Sequence, residues 1–336
     1  MIKICFVGAG STIFAKNVLG DCILTPELGE FEISLYDIDK ERLEDSRLML
    51  VNINKKYKGK ATIKATLNRR KALKDANFVV NAIQVGGYEP CTVTDFEVPK
   101  KYKLRQTIAD TLGIGGIFRA LRTIPVLEDI CKDMKDVCPN ALLINYANPM
   151  AMLTGYLQRY LWPNTVGLCH SVQCCVKGLF ESLKMNDLID NCKWEIAGIN
   201  HQAWLLKITD MNDNDLYPEI KKRSLSGDYY ETMKWDLVRH DMMHRFGYYI
   251  TESSEHTSEY TPWYIKDRYP ELIDKYLIPL DEYPRRCVKQ IAEWKEMREK
   301  LVSHNIEHVK SREFAAGIIN AVVNDVPYKM HGNVLN

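Results

Sequence analysis

The sequence predicts an α/β protein, a doubly wound parallel sheet followed by a second α+β domain. Three features carry that reading. Short apolar runs alternate with helix-length amphipathic segments through the first half, a glycine turn lies directly between the first run and the first helix, and the alternation ends near residue 190. The 336 residues, at ~150 per domain, give about two domains, with core enough to fold without disulfide or metal staples.

The elements follow in order. Residues 4–7 form a short apolar strand, 11–24 a helix, and 31–36 a second strand ending at Asp37. Residues 40–56 read as a helix whose apolar side is Leu43, Leu48, Leu50, Val51 and Ile53. Strands follow at 61–66, 78–83, 141–145 and 165–168, and residues 116–134 place Ile117, Leu121, Ile124, Leu127 and Cys131 at helical spacing. Strands separated by helices of this length imply βαβ units and a sheet covered on both faces. Beyond 190 come a strand-like stretch at 194–208, a polar region rich in Tyr, Trp and His, and helices at 284–304 and 311–323. The expected domains are 1–190 and 191–336. The last helix is followed by Gly332-Asn333-Val334 with no closing element in view, so the second domain looks incomplete at its C-terminus.

Composition narrows the function classes. With 45 Lys plus Arg against 44 Asp plus Glu, the formal charge is +1, which argues against nucleic-acid binding and polybasic membrane attachment. The first strand begins at once, without the charged and apolar regions of a signal peptide, and no apolar stretch approaches the ~20 residues of a membrane span. Ten scattered cysteines without a CxxC pair point to a reducing, cytoplasmic compartment. The partner expected is a small molecule.

Gly8-Ala9-Gly10-Ser11 occupies the strand-to-helix turn where main-chain N–H groups meet a pyrophosphate at a helix N-terminus. Ile13 replaces the third glycine of the usual fingerprint, which is expected to keep the helix slightly farther from the strand. Asp37, at the end of the second strand, is placed to accept the adenosine ribose hydroxyls and repel a 2′-phosphate, so NAD is the expected cofactor. Ligands of doubly wound sheets bind beyond the strand C-termini, where this sequence places Asn145-Tyr146-Ala147-Asn148-Pro149, Cys169-His170-Ser171 and, from the second region, Asn200-His201. Cys169 and His201 together offer a thiolate and an imidazole to a divalent ion, with positions open for substrate oxygens. His170 is a candidate proton donor. In the polar stretch 251–263, Tyr260 is a candidate base if a cation and hydrogen bonds lower its pKa, and Trp263 and Tyr264 offer flat faces for a sugar ring.

These stretches make the whole chain resemble glycoside hydrolase family 4. The matching residues are 6–14, 86–98 and 106–112, then Gly167-Leu168-Cys169-His170-Ser171, Gly198-Ile199-Asn200-His201, 251–256, Glu259-Tyr260-Thr261-Pro262-Trp263 and Asp281-Glu282-Tyr283-Pro284 with Arg286-Cys287. The resemblance implies a Rossmann-like fold of the lactate/malate dehydrogenase kind and a glycosidase that uses NAD and Mn²⁺ or another divalent metal in place of two carboxylates. It implies NAD contacts at Gly8, Gly10, Ser11 and Asp37, metal ligands at Cys169 and His201, substrate contacts at Asn148 and Arg286, and a catalytic base at Tyr260. His170 stands where the phospho-sugar branches carry an acidic Asp. The implied activity is hydrolysis of terminal α-D-galactosides such as melibiose. An α-glucosidase, an α-galacturonidase or an inactive NAD-binding fragment are the alternatives. Family members run about a hundred residues further by resemblance, so part of the C-terminus is expected to be missing, and homo-oligomers are expected where that part is present.

Overall fold

The computed structural model describes residues 1–169, 171–304 and 306–335. Its contacts divide the chain into two units. Met1–Gly87, Arg119–Cys169 and Cys287–Asn336 form the first, and Tyr88–Phe118 with His170–Arg286 the second. The chain is therefore not cut once near 190: residues 88–118 leave the first unit after its fourth strand, and residues from 287 onward return to it.

In the first unit β1 (Ile2–Val7), β2 (Phe31–Tyr36), β3 (Ala61–Thr66), β4 (Phe78–Asn81), β5 (Leu142–Asn145) and β6 (Thr165–Gly167) form one sheet in the order β3-β2-β1-β4-β5-β6. Every pairing is parallel. Alternation along β1 explains both covering layers. Ile4 and Phe6 enter a cluster with Ala15, Val18 and Leu19 of helix Thr12–Ile23 and with Leu43, Leu50 and Ile53 of helix Lys40–Lys56. Cys5 and Val7 enter the opposite cluster with Leu127, Ile130, Cys131 and Met134. Chain order reverses between β1 and β4, and their C-terminal ends flank the crevice in which this topology binds ligands.

The C-terminal segment packs into this unit and not, as expected, into the second domain. Helix Ala315–Asn324 sends Ala315, Ala316, Ile318 and Ile319 into the cluster shared with β1. Asp21, fully buried, accepts from His308 Nε2 and from the Ser311 N–H, each at 2.8 Å. Asn333 and Gly167 exchange main-chain hydrogen bonds of 3.1 and 2.8 Å, so the glycine turn pairs with β6.

The second unit is built on β7 (Cys192–Ile199), β8 (Gln202–Asp210) and β9 (Tyr249–Ile250), all antiparallel. The single strand expected at 194–208 is a hairpin that reverses at Asn200-His201, because Gly198 (φ +137°) and His201 (φ +62°) take conformations a straight strand does not use. Below it lies a polar core. Asp236, fully buried, receives Arg239, the Tyr249 hydroxyl and, at 3.2 Å, the Ser254 hydroxyl. That tie fixes helices Leu237–Phe246 and Ser254–Tyr260 to β9.

Asp236→Ala strands the Arg239 guanidinium, and its cost is expected at about 3–5 kcal/mol, read by urea denaturation. His240 supplies a pH test. Burial pushes its imidazole down to about 4, against the pull of Asp236 and with help from Arg239 and His244. Its folded pKa lies below the unfolded value, so the stability tied to its neutral form is complete above pH ~6.5 and lost as pH falls toward 4, about 3 kcal/mol in all. His240→Phe should flatten that limb, and an unchanged pH profile would refute the assignment.

Candidate active site

The first unit supplies a cradle at the β1 end. Gly8 and Ala9 donate their N–H groups to Tyr36 O, both at 3.0 Å, which turns the chain sharply away from the strand. Gly8 sits at φ +92°, and a Cβ there would lie 2.7 Å from Ala82 O, so only glycine fits. Gly10 N–H donates to Asp37 Oδ2 at 2.6 Å and Asp39 N–H to Asp37 Oδ1 at 2.9 Å. Ser11 is exposed and caps helix Thr12–Ile23 without a side-chain bond. Ile13 is 46% exposed and so does not hold the helix off the strand, contrary to expectation; Ser46 ties the turn from behind by donating to Ala9 O at 2.6 Å. At the end of β4, Asn81, paired with Val7 next to Gly8, has a buried Oδ1 without a hydrogen-bond partner, an acceptor open to a polar ligand. A glycine cradle, a carboxylate at the end of β2 and an unclaimed buried acceptor fit a dinucleotide.

Two further residues singled out in the sequence lie in this unit. Asn148, half-buried, precedes a cis proline and accepts from the Met150 N–H at 3.3 Å, so it also starts helix Met150–Tyr156. Cys169 is half-buried just beyond β6.

The second unit gathers an oxygen and nitrogen donor set around the hairpin turn. His201 Nε2 lies 3.0 Å from Glu252 Oε2. The His201 and His256 rings meet edge to face at 4.5 Å, and His256 Nε2 lies 3.7 Å from Asp110 Oδ1. Donor atoms of Asp110, His201 and His256, all buried, lie within 4.8 Å of one another. Burial opposes the ionised Glu252, yet His201 and His256 hold its pKa well below the ordinary carboxylate value. Buried carboxylates among imidazoles form a hard-to-borderline donor set that suits a divalent cation such as Mn²⁺.

Tyr260 closes helix Ser254–Tyr260 beside this set, with its ring 5.5 Å from that of His256. The protein's own groups do not lower its pKa. Burial and the charges of Asp110 and Glu259 push the phenol well above 10, while the Leu112 main chain and Thr111 pull the other way. Glu259, one residue earlier, is also perturbed: burial raises its carboxyl to about 7 against hydrogen bonds from Ala109, Thr107 and Ile108. Ala109 is held at φ +54°, which costs a residue with a Cβ roughly 1–2 kcal/mol.

Arg286 is half-exposed and pinned by Glu282 at 2.8 Å and Glu255 at 3.0 Å. Trp263 is 44% exposed, open to a ring. Tyr264 is buried and donates to Asp241 at 2.7 Å, so it is a core residue and not a sugar platform. His170 lies outside the described residues. Asp110, Glu252, His256 and Glu259 were not singled out in sequence, although they stand in the two polar stretches that hold the family motifs.

With the geometry in place, comparison decides the family. Residues 3–185 match the model of family 4 glycosyl hydrolases and residues 196–336 that of the family's C-terminal domain. The chain belongs to glycoside hydrolase family 4. It is 56% identical over 337 residues to an α-galactosidase of Bacillus subtilis, covering 100% of this chain and 77% of that protein. It is 35% identical over 280 residues to an α-galactosidase of Rhizobium meliloti, covering 82% of this chain and 55% of that protein. A crystal structure of a 6-phospho-α-glucosidase from gut microorganisms, in complex with NAD and Mn²⁺, shares the fold with a TM-score of 0.69 at 21% identity, covering 96% of this chain and 75% of that one. The match at 196–336 corrects the expectation to this extent: the family's C-terminal domain is represented in this chain, which covers 77% of the Bacillus protein. No helix among the described residues is long and apolar enough to cross a membrane.

Gly8→Ala is expected to lower the melting temperature and weaken NAD⁺ binding together, since one added methyl group meets Ala82 O and strains the turn. Calorimetric titration and thermal melts check it; full NAD⁺ affinity in this variant would show that the turn is not the cofactor cradle.

Proposed function

We propose that this chain is an NAD- and divalent-metal-dependent α-galactosidase that releases terminal α-D-galactosyl groups. The observation that carries the reading is the 56% identity with the Bacillus α-galactosidase across the whole chain. The glycine cradle and the imidazole–carboxylate set support it.

NAD⁺ held at the Gly8–Gly10 turn would supply a hydride acceptor and donor for the sugar C3, and a divalent ion held by Cys169 and His201 would supply Lewis-acid stabilisation of negative charge. The chain's own residues do the rest. Gly8 and Gly10 admit the pyrophosphate to the helix N-terminus near Ser11, and Asp37 accepts the ribose hydroxyls while repelling a 2′-phosphate. Cys169 and His201 are the proposed metal ligands. Asn148 and Arg286 are the proposed contacts to the sugar. A ketone at C3 makes the C2 proton acidic, and Tyr260 removes it as the bond from C1 to the leaving oxygen breaks. Because burial and two carboxylates raise its pKa, Tyr260 serves as a base only with positive charge beside it. His170 is the proposed proton donor to the departing oxygen, after which water adds across C1 and C2, its oxygen going to C1 and a proton to C2; bound cofactor would supply the hydride that restores the C3 hydroxyl. A cytoplasmic location belongs to the same reading, since a ligating thiolate needs reducing surroundings, as does assembly into homo-oligomers, which sedimentation measures.

The test sets p-nitrophenyl α-galactoside beside its gluco and galacturono counterparts with NAD⁺, Mn²⁺ and reductant. The galactoside should be turned over fastest, with solvent deuterium at C2 of the product and no net NADH. Faster turnover of a counterpart moves the substrate assignment, and NADH accumulation replaces the mechanism with ordinary dehydrogenation. Cys169→Ser should abolish activity while the chain stays folded, and unchanged metal dependence would contradict its role as a ligand.

A further inference from the structure

Residues 106–112 form a loop in the second unit, just ahead of helix Gly113–Val137, that is fastened from several sides. Gln106 donates through Nε2 to Asp95 O at 2.8 Å and accepts the Gly115 N–H at 3.1 Å. The Thr107 hydroxyl donates to Glu255 O at 2.7 Å, and the N–H groups of Asp281 and Tyr283 donate to Gln106 O and Thr107 O at 2.9 and 3.0 Å. The first turn of that helix packs tightly against the loop. A Cβ on Gly115 would lie 2.6 Å from Ala109 O, and one on Gly116 would lie 2.7 Å from the Thr111 carbonyl.

One side chain holds the apex. Glu259 Oε2 accepts the Thr107 N–H at 2.8 Å, Oε1 accepts the Ala109 N–H at 2.8 Å, and the Ile108 N–H lies 3.2 Å from both oxygens. Three successive main-chain donors thus converge on one carboxylate, an anion nest filled from within the chain. The turn so held contains Ala109 in the left-handed region, and the next residue is Asp110, whose Oδ1 lies 3.7 Å from His256 Nε2. The residue after Glu259 is Tyr260.

We propose that Glu259 is a positioning residue of the active site: its carboxylate moulds the 107–109 turn, and through it sets Asp110 against His256 and Tyr260. The same residue thereby couples the register of helix Ser254–Tyr260 to that of the loop. This rests on the reading of Tyr260 as the base. The chemistry is that of a charge-assisted clamp. A neutral amide at this position presents only one acceptor oxygen, so Thr107 or Ala109 loses its partner. An alanine leaves three donors around a space that fits a small carboxylate.

The experiment compares the full-length chain with Glu259→Ala and Glu259→Gln, loaded with NAD⁺ and Mn²⁺, by hydrogen exchange at residues 107–109, by kcat and KM for the α-galactoside, and by C2 deuterium incorporation. Thermal melts and NAD⁺ affinity establish that each variant is folded. In Glu259→Ala the amides should lose protection and kcat should fall about 100-fold, as expected for a displaced reacting group, with KM changed far less. Formate, but not chloride, should restore kcat about tenfold and return the protection, as the refilled nest regains its charge-assisted bonds. Glu259→Gln should lose activity without formate rescue, because the amide fills the space. Two folded variants with wild-type kcat and C2 exchange would overturn the proposal, as would a loss of activity with the amides still protected and no rescue by formate. Failure of the glycosidase reading shows separately, as absence of galactoside turnover in the wild-type chain, with the exchange and formate-protection arms still deciding whether the clamp exists.

Discussion

Main-chain N–H groups caught by a side-chain carboxylate fix one functionally placed loop in each unit. In the first unit Asp37 accepts from Gly10 and Asp39; in the second, Glu259 accepts from Thr107, Ile108 and Ala109. Loops that hold glycine or a left-handed residue have wide conformational freedom, and ordering them costs entropy that apolar packing cannot offset at a polar sheet edge. A carboxylate supplies enthalpy and direction together, because it accepts several donors from fixed angles. It also leaves negative charge at the turn, so on the proposed reading stability and ligand recognition would use the same atoms.

That economy sets the electrostatics of the second unit. Asp110, Glu252 and Glu259 are all removed from bulk water, and His201 and His256 lie among them. Burial lowers the His256 pKa while Glu252 raises it, so the donors compete within a small space. A divalent cation resolves such competition by neutralising the carboxylates without needing charged imidazoles. The same positive charge lowers the cost of a phenolate, which Tyr260 cannot reach beside Asp110 and Glu259 alone. In the proposed reaction, metal occupancy and the basicity of Tyr260 would thus be coupled through charge, with no conformational change needed to connect them.

Much of this was legible in the sequence, and the reason is periodicity. Helix Lys40–Lys56 and strands Phe31–Tyr36 and Ala61–Thr66 have the bounds that the apolar pattern predicts. Gly8, Gly10 and Asp37 meet because a βαβ unit leaves them no other place. What was hidden was long-range. Nothing local in residues 306–335 shows that Ile318 and Ile319 return to the β1 cluster or that Asn333 pairs with Gly167. The hairpin at Asn200-His201 was read as one strand because both flanks are apolar, and the reversal lies in two dihedral angles. Asp110 and His256 are 146 residues apart in the chain and meet only through loop closure, which no spacing rule encodes.

The polar stretch 251–263 shows how far such a reading extends. Its polarity excludes an ordinary core, yet its helical residues Ser254, His256, Thr257 and Ser258 are buried, as are Thr251 and Glu252. They remain buried because each of their partners is polar too: Ser254 meets Asp236, Ser258 donates to Glu255 O, and His256 faces Asp110. A helix that is buried and polar has little apolar drive to hold its register, so its hydrogen bonds must specify it. The clearest of these are the three N–H groups aimed at Glu259, since sliding the helix by one residue would place Tyr260 in the nest and leave all three donors without an acceptor.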